Sequence, residues 1–404
     1  MFFSISTEKF DDRFLIHHKS SQYCISLDAG WNQVNINGKE IFYKGYCDTV
    51  DLSTVINEFI KDPTPRYSGN FCLIIVSGNQ LCVTHDYTRS FKLTKTDNSI
   101  TNFVDSNDCS AEPIWTDNYV KITNNLIETV FYDNSVGLVN QHLSLNECVD
   151  QLYDLLNEKA QQLDRFKLPI KVFLSGGIDT MMAYSIIENY YSTNSKIYGF
   201  VPEEHYDLTP FLLKNNDKIS SEFWGYKQTH HWKTPTVLAT GACGDEVFLR
   251  GPTTAAIWCA WNNYNILEIL NSDTHYYHKK YFLKEANQQI FKKQWNNRKE
   301  IQKLSYDELC KGIYNNVAND HQHWHLEKTI NWTPLKDLRI LKTVLQLRKE
   351  DLLGQILNGN VDRAIIKKFN PLLLDYICVH KNHNQFENLL KFEKYMEVVN
   401  NVEL

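Results

Sequence analysis

Apolar positions follow two different rhythms along this chain. From the N-terminus to about residue 110, short apolar runs alternate with turn residues, which predicts mostly strands. There Gly69-Asn70-Phe71-Cys72-Leu73-Ile74-Ile75 and Leu81-Cys82-Val83-Thr84-His85-Asp86 read as paired strands, with Gly78-Asn79 as the turn between them. Arg89-Ser90-Phe91-Lys92-Leu93 reads as a further strand. Polar residues crowd Thr94 to Asn107, so a boundary is expected between there and Asn140, giving domains at 1–125 and 140–404.

Past that boundary the period lengthens. Residues 145–163 predict a helix with Val149, Leu152, Leu155 and Leu156 on its apolar face and Ser144 as its cap. An α/β core is expected next: strand 168–174, helix 180–191, strand 196–201 and strand 236–240. Met182, Ala183, Ile186, Ile187 and Tyr190 give that helix its spacing. Beyond Pro252 the pattern is mainly helical, and Leu338 to Leu357 carries Leu341, Val344, Leu345, Leu352 and Leu353 at helical intervals. The expected class is α/β: a β-rich N-terminal domain, then a doubly wound parallel sheet with a helical C-terminal part.

Bulk composition narrows the function classes. With 404 residues, 43% of them hydrophobic, the chain can bury two ordinary cores. A net charge of −6 argues against a dominant nucleic-acid or anionic-membrane surface, so neither is expected as a partner. No apolar run approaches the roughly 18 residues of a membrane span. Met1-Phe2-Phe3-Ser4 carries no basic leader, and the ten cysteines include no Cys-x-x-Cys pair. A reducing, cytoplasmic setting is expected.

The densest chemistry lies in Phe173-Leu174-Ser175-Gly176-Gly177-Ile178-Asp179-Thr180. A strand feeding a glycine turn and a helix N-terminus suits phosphate: backbone N–H groups approach the anion, hydroxyls add donors, and the helix dipole favours negative charge. Asp179 would repel phosphates unless it holds a bridging Mg²⁺. The bland alternative is a glycine turn joining a core strand to a core helix. A second loop of similar design, Gly241-Ala242-Cys243-Gly244-Asp245-Glu246, follows the apolar run Val237-Leu238-Ala239-Thr240. Two strand ends that each carry an aspartate can share one Mg²⁺–pyrophosphate unit in the crevice of a doubly wound sheet.

The first loop resembles the Ser-Gly-Gly-x-Asp-Ser loop of the ATP pyrophosphatases, with Thr180 for the final serine. The second resembles the Ser-Gly-Glu-Gly-x-Asp-Glu loop of their asparagine-synthetase branch. The Gly69 to Leu93 stretch is similar to the segment that closes the glutaminase-like domain of those enzymes. Trp332-Thr333-Pro334-Leu335-Lys336-Asp337 resembles their Arg-x-Pro-Phe-Leu-Asp segment. The resemblance implies a glutaminase-like N-terminal domain and ATP and Mg²⁺ as cofactors. Asp179 and Asp245 would hold the metal, Ser175, Gly176, Gly177 and Thr180 would cradle pyrophosphate, and Gly241 and Gly244 would shape the opposing loop. Leu174 and Phe200, at strand ends, are expected near adenine and ribose by position alone.

The Val361–Lys368 stretch resembles the family's Lys-x-x-Leu-Arg helix. Arg363 falls at the lysine position and Lys367 at the arginine position, which makes them candidates for transition-state stabilisation; a solvated basic helix face is the alternative. Lys381 ranks below them. His321, His323 and His325 converge on a metal only in an extended segment, and a polar or substrate-facing segment is favoured. Two departures matter. Phe2 stands where family glutaminases expose a cysteine, the first cysteine being Cys24, so glutamine hydrolysis is not expected. Ala242 stands where asparagine synthetases carry a glutamate that handles the amine.

The implied function is an ATP-dependent amide-forming ligase that adenylates a small-molecule carboxylate and passes it to an amine or ammonia. The alternatives are a nucleobase-modifying ATP pyrophosphatase and an inactive nucleotide-binding module. Relatives often dimerise, so a homodimer is among the expectations.

Overall fold

The computed structural model describes the chain apart from residues 1–2, 7, 15, 21, 48–49, 65–66, 87–92, 97, 102–111, 115–117, 125, 132–141, 175–176, 192–194, 199–235, 273–274, 320–328 and 377–404. Its described residues form a mixed α/β structure of antiparallel sheets, one parallel sheet and helices, in two compact units, one of Met1–Val136 with Ala318–Glu327 and the other of Gly137–Val317 with Lys328–Leu404. No helix among them is long and apolar enough to cross a membrane.

In the first unit the strands are β1 (Phe3–Ser6), β2 (Ile16–Ser20), β3 (Tyr23–Leu27), β4 (Asn32–Ile36), β5 (Lys39–Cys47), β6 (Gly69–Ser77), β7 (Gln80–His85), β8 (Leu93–Lys95), β9 (Ser99–Thr101), β10 (Glu112–Ile114), β11 (Asn118–Thr123) and β12 (Leu126–Phe131). They form two antiparallel sheets, ordered β10-β8-β9-β1-β3-β2 and β12-β11-β7-β6-β5-β4. Alternation along β6 explains the layering, since successive strand residues point to opposite faces. Cys72, Ile74 and Val76 join Phe3, Ile5, Ile25 and Leu27 of the other sheet in one core. Phe71, Leu73 and Ile75 face the other way, against Val55, Ile56 and Phe59 of the Leu52–Phe59 helix. The β6–β7 hairpin turns at Gly78-Asn79, with Ser77 opposite Gln80, as the sequence pattern predicts.

The second unit opens with a helix at Leu145–Gln161. Ser144 caps it through a reciprocal bond pair: its hydroxyl accepts from the Glu147 N–H, and the Glu147 carboxylate accepts from the Ser144 N–H at 2.8 Å. A parallel sheet follows, built from β13 (Ile170–Phe173), β14 (Ser195–Tyr198), β15 (Thr236–Ala239) and β16 (Thr329–Trp332) in the order β14-β13-β15-β16. After β14 the chain therefore crosses to the opposite side of β13, so the strand order changes direction between β13 and β15. The Ile178–Tyr191 helix joins β13 to β14 and packs against the Asn360–Phe369 helix.

The expected Leu338–Leu357 helix is interrupted. Helices run Leu338–Leu345 and Lys349–Asn358, because Leu347 leaves helical geometry to bridge Leu143. The Leu143 N–H donates to the Gln346 carbonyl at 2.8 Å, and the Arg348 N–H donates to Leu143 at 3.0 Å. Helical spacing alone could not reveal a partner so distant in the chain.

Asp337 anchors the first of these helices. Its carboxylate accepts the Arg339 N–H at 2.8 Å, capping the N-terminus, and pairs at 3.2 Å with Lys159, both side chains being fully buried. Breaking a buried pair is costly because one charge stays in low dielectric. Asp337→Ala should therefore lower stability in urea unfolding by about 3 kcal/mol. Asp337→Asn, which keeps the cap, should recover about 1 kcal/mol of that loss.

Candidate functional site

Two turns meet at the carboxyl ends of the neighbouring strands β13 and β15. The chain leaves β13 through Leu174, which is buried; Ser175 and Gly176 lie outside the described residues. At Gly177 the helix begins, its carbonyl accepting the Met181 N–H and the Thr180 hydroxyl, both at 3.0 Å. Asp179 sits in the first turn, where the positive end of the helix dipole favours a carboxylate.

The second turn leaves β15 at Thr240, whose N–H donates to the Trp332 carbonyl of β16 at 3.1 Å. It closes on itself: Gly244 N–H donates to the Gly241 carbonyl at 3.3 Å, and Cys243 takes the left-handed conformation at φ 69°. Both glycines are required by close approach rather than by φ. A Cβ on Gly241 would come within 2.5 Å of the Asp179 carbonyl oxygen and the Thr180 nitrogen, and one on Gly244 would overlap the Asp179 carboxylate. The second loop is thus pressed directly against the first.

What holds these loops together is Arg250. The chain doubles back after the short Gly244–Val247 helix through Leu249 at φ 59°, and the N–H groups of Arg250 and Gly251 converge on the Asp245 carbonyl at 2.7 and 2.8 Å. This returns the Arg250 side chain, only 2% exposed, to the loop interface. Its Nη2 donates to Asp179 Oδ1 and its Nη1 to Asp245 Oδ1. Its Nε donates to Asp362 Oδ1 at 3.1 Å, with Nη2 also 3.0 Å from that oxygen. Asp362 is fully buried on the Asn360–Phe369 helix. Gln355 fixes it, donating from Nε2 to Asp362 Oδ2 at 2.5 Å and to the Phe248 carbonyl at 2.9 Å, while its Oε1 accepts the Val361 N–H at 2.7 Å.

Three carboxylates face one guanidinium, so the fully ionised cluster carries a formal charge of −2. Burial pushes the Asp179 carboxyl well above its ordinary range; Arg250 opposes the shift, and Asp245, Asp362 and Glu246 reinforce it. Asp362 is raised too, again chiefly by burial against the opposing pull of Arg250. Burial disfavours the guanidinium charge, yet the surrounding carboxylates more than offset this and keep Arg250 protonated.

Excess negative charge on hard oxygen donors fits a divalent cation such as Mg²⁺. The side chains of Asp179 and Asp245 are 19% and 34% exposed, so a cation can reach them from solvent. No group of three or more His, Cys, Asp or Glu side chains is arranged to hold a metal among the described residues. Two protein carboxylates with the remaining positions left to water and phosphate is the usual Mg²⁺ arrangement, so the donor set fits.

The structure brings together Gly177, Asp179, Thr180, Gly241, Gly244 and Asp245. Thr180 is buried and its hydroxyl is turned to Gly177. Arg363 stacks on the Tyr277 ring, its guanidinium carbon 4.6 Å from the centroid, and Lys367 is exposed. From that helix it is Asp362, beside Arg363, that enters the cluster. Phe200, His321, His323, His325 and Lys381 lie outside the described residues. Arg250, Asp362 and Gln355 are residues that the sequence reading missed. Asp362 carries a legible signal: it shares the buried stripe of Ile365, Ile366 and Phe369 at helical spacing, where a charge needs a partner.

No protein-family model matches the chain, and no curated protein matches it. Among solved structures it is similar to a glutamine phosphoribosylpyrophosphate amidotransferase from B. subtilis, complexed with ADP and GMP, at 7% identity and a TM-score of 0.20. The match covers 56% of this chain and 63% of that one. A likeness at that level carries no argument about fold or chemistry here.

Gly244→Ala should destabilise the protein by about 2 kcal/mol through overpacking, and the same change in an Asp179→Ala background should cost less than about half as much, read from a double-mutant cycle in urea. The raised Asp179 carboxyl gives a pH signature. Such a group binds its proton more tightly when folded, so its stabilising contribution is complete below the ordinary value of 3.8 and is lost as pH rises through the raised value. In chelator, Asp179→Asn should therefore gain stability relative to the unsubstituted protein as pH rises above about 4. A difference that is flat with pH, or of opposite sign, would contradict the raised value.

Proposed function

We propose that this chain is an ATP-dependent ligase that activates a carboxylate as its acyl-adenylate and passes it to an amine or ammonia. The observation that carries the reading is the convergence of Asp179 and Asp245, from the ends of two adjacent parallel strands, on one cationic centre. It supports the reading because open parallel sheets bind ligands where the strand order changes direction, and β13 and β15 flank that point. The resemblance of both loops to the ATP pyrophosphatase and asparagine-synthetase patterns gives the reaction class, with a doubly wound sheet and a glutaminase-like first unit as its structural corollaries.

In this reading Ser175, Gly176, Gly177 and Thr180, with the helix N-terminus, would receive the β and γ phosphates of ATP. Asp179 and Asp245 would hold Mg²⁺, which would supply positive charge to offset that of the phosphates. The substrate carboxylate oxygen attacks the α-phosphorus and pyrophosphate leaves; the amine then attacks the acyl carbon and AMP leaves. Activation resides in the nucleotide, so no protein nucleophile is required. Arg363 and Lys367 remain the candidates for offsetting charge at the acyl centre, and the soluble substrates are small molecules.

A second reading has its own observation. Arg250 already bonds Oδ1 of both aspartates, so the paired loops could be a structural joint, or a nucleotide-binding module without turnover. A screen of carboxylate and amine pairs for pyrophosphate and AMP release separates the readings. The ligase reading expects AMP formation that needs both partners and falls at least about 100-fold in Asp179→Asn and in Asp245→Asn. Tight ATP binding with no release would support the module, and release that depends on RNA would support nucleobase modification.

A further inference from the structure

We infer that Arg250 is the positioning residue of the metal–nucleotide centre: it draws Asp179 and Asp245 together before any divalent cation arrives, so the cation is taken up with its nucleotide rather than ahead of it. The inference rests on the ligase reading and deepens it. Two aspartates brought to one point repel each other unless a positive charge lies between them. The guanidinium supplies that charge from inside the protein, bonded to Oδ1 of each aspartate.

Its own position is fixed from behind. Nε and Nη2 hold Asp362 at 3.1 and 3.0 Å, and Gln355 locks Asp362 to the Phe248 carbonyl and the Val361 N–H. A planar fork with donors in fixed directions can address three carboxylates at once, which a lysine ammonium on a flexible stem does less well. With Arg250 2% exposed and Asp362 fully buried, the anchor is the buried side of the cluster. Asp179 and Asp245 are its solvent-facing side.

Two consequences for metal follow from charge. A bare divalent cation at the aspartates meets a neighbouring guanidinium that has already neutralised part of their charge, so it binds weakly. A cation arriving on a triphosphate brings most of its own ligands and its own negative charge, and needs from the protein only two carboxylates held in place.

The test is a titration with Mn²⁺ in which the free ion is followed by its EPR signal, with and without ATP. The subjects are the full chain, Arg250→Lys and Arg250→Met, with folding checked by circular dichroism. The unsubstituted chain should bind bare Mn²⁺ weakly and take up Mn²⁺–ATP. Arg250→Met should bind bare Mn²⁺ at least about tenfold more tightly, because three carboxylates then lack their internal cation. Arg250→Lys keeps the charge and loses the fork: bare Mn²⁺ should stay weak while Mn²⁺–ATP uptake falls about tenfold or more. Should Arg250→Met not fold, the lysine variant decides alone. Unchanged Mn²⁺–ATP affinity in folded Arg250→Lys, or no gain of bare Mn²⁺ in folded Arg250→Met, overturns the role of Arg250 and leaves the ligase reading standing. No uptake of Mn²⁺–ATP by the unsubstituted chain removes both.

Discussion

A buried guanidinium shared by three aspartates is the constraint around which the second unit is built. Moving such a charge out of water costs several kcal/mol unless its donors are satisfied, and here Asp179, Asp245 and Asp362 satisfy it from three different elements. Each of those elements is bent to the task. The Ile178–Tyr191 helix presents Asp179 in its first turn, and the chain after Asp245 folds back through Leu249. The Asn360–Phe369 helix gives up a place on its apolar stripe to Asp362. Gly241 and Gly244 follow from the same requirement, since a side chain at either would hold the loops apart.

The aspartate pair was legible in the sequence because each residue sits in a local pattern: apolar strand, glycines, carboxylate, helix. Element type was legible for a similar reason. The alternation along Phe71 to Val76 sends residues to opposite cores, and Ser144 with Glu147 forms a cap that needs only neighbouring residues. Contacts between distant segments were not legible. Nothing near Arg250 in the chain announces Asp179 or Asp362 as its partner, and nothing near Leu347 announces Leu143. Both depend on chain reversals without a local mark: Leu249 adopts a left-handed φ that leucine does not signal, and the helical spacing of Leu338 to Leu357 runs on through the interruption. The Asn360–Phe369 helix divides its charges: Lys367 and Lys368 mark the outer face, while the informative acid, Asp362, lies among apolar residues on the inner one.

The charge balance gives the cluster its chemical direction. Burial raises the Asp179 carboxyl, and one guanidinium among three carboxylates leaves net negative charge that adds to the rise. A purely structural joint would be better served by matched charges, because residual negative charge in a buried setting lowers stability. In the proposed reading that residual charge is the means by which the fold accepts a metal bound to phosphate.

The most direct measurement is a crystal structure of the full chain with Mn²⁺ and a non-hydrolysable ATP analogue, using the anomalous signal of manganese. The account predicts one manganese peak coordinated by oxygens of both Asp179 and Asp245 and of the triphosphate, with Arg250 still bonded to Asp362. A nucleotide seated elsewhere, or a manganese site that excludes either aspartate, would contradict it.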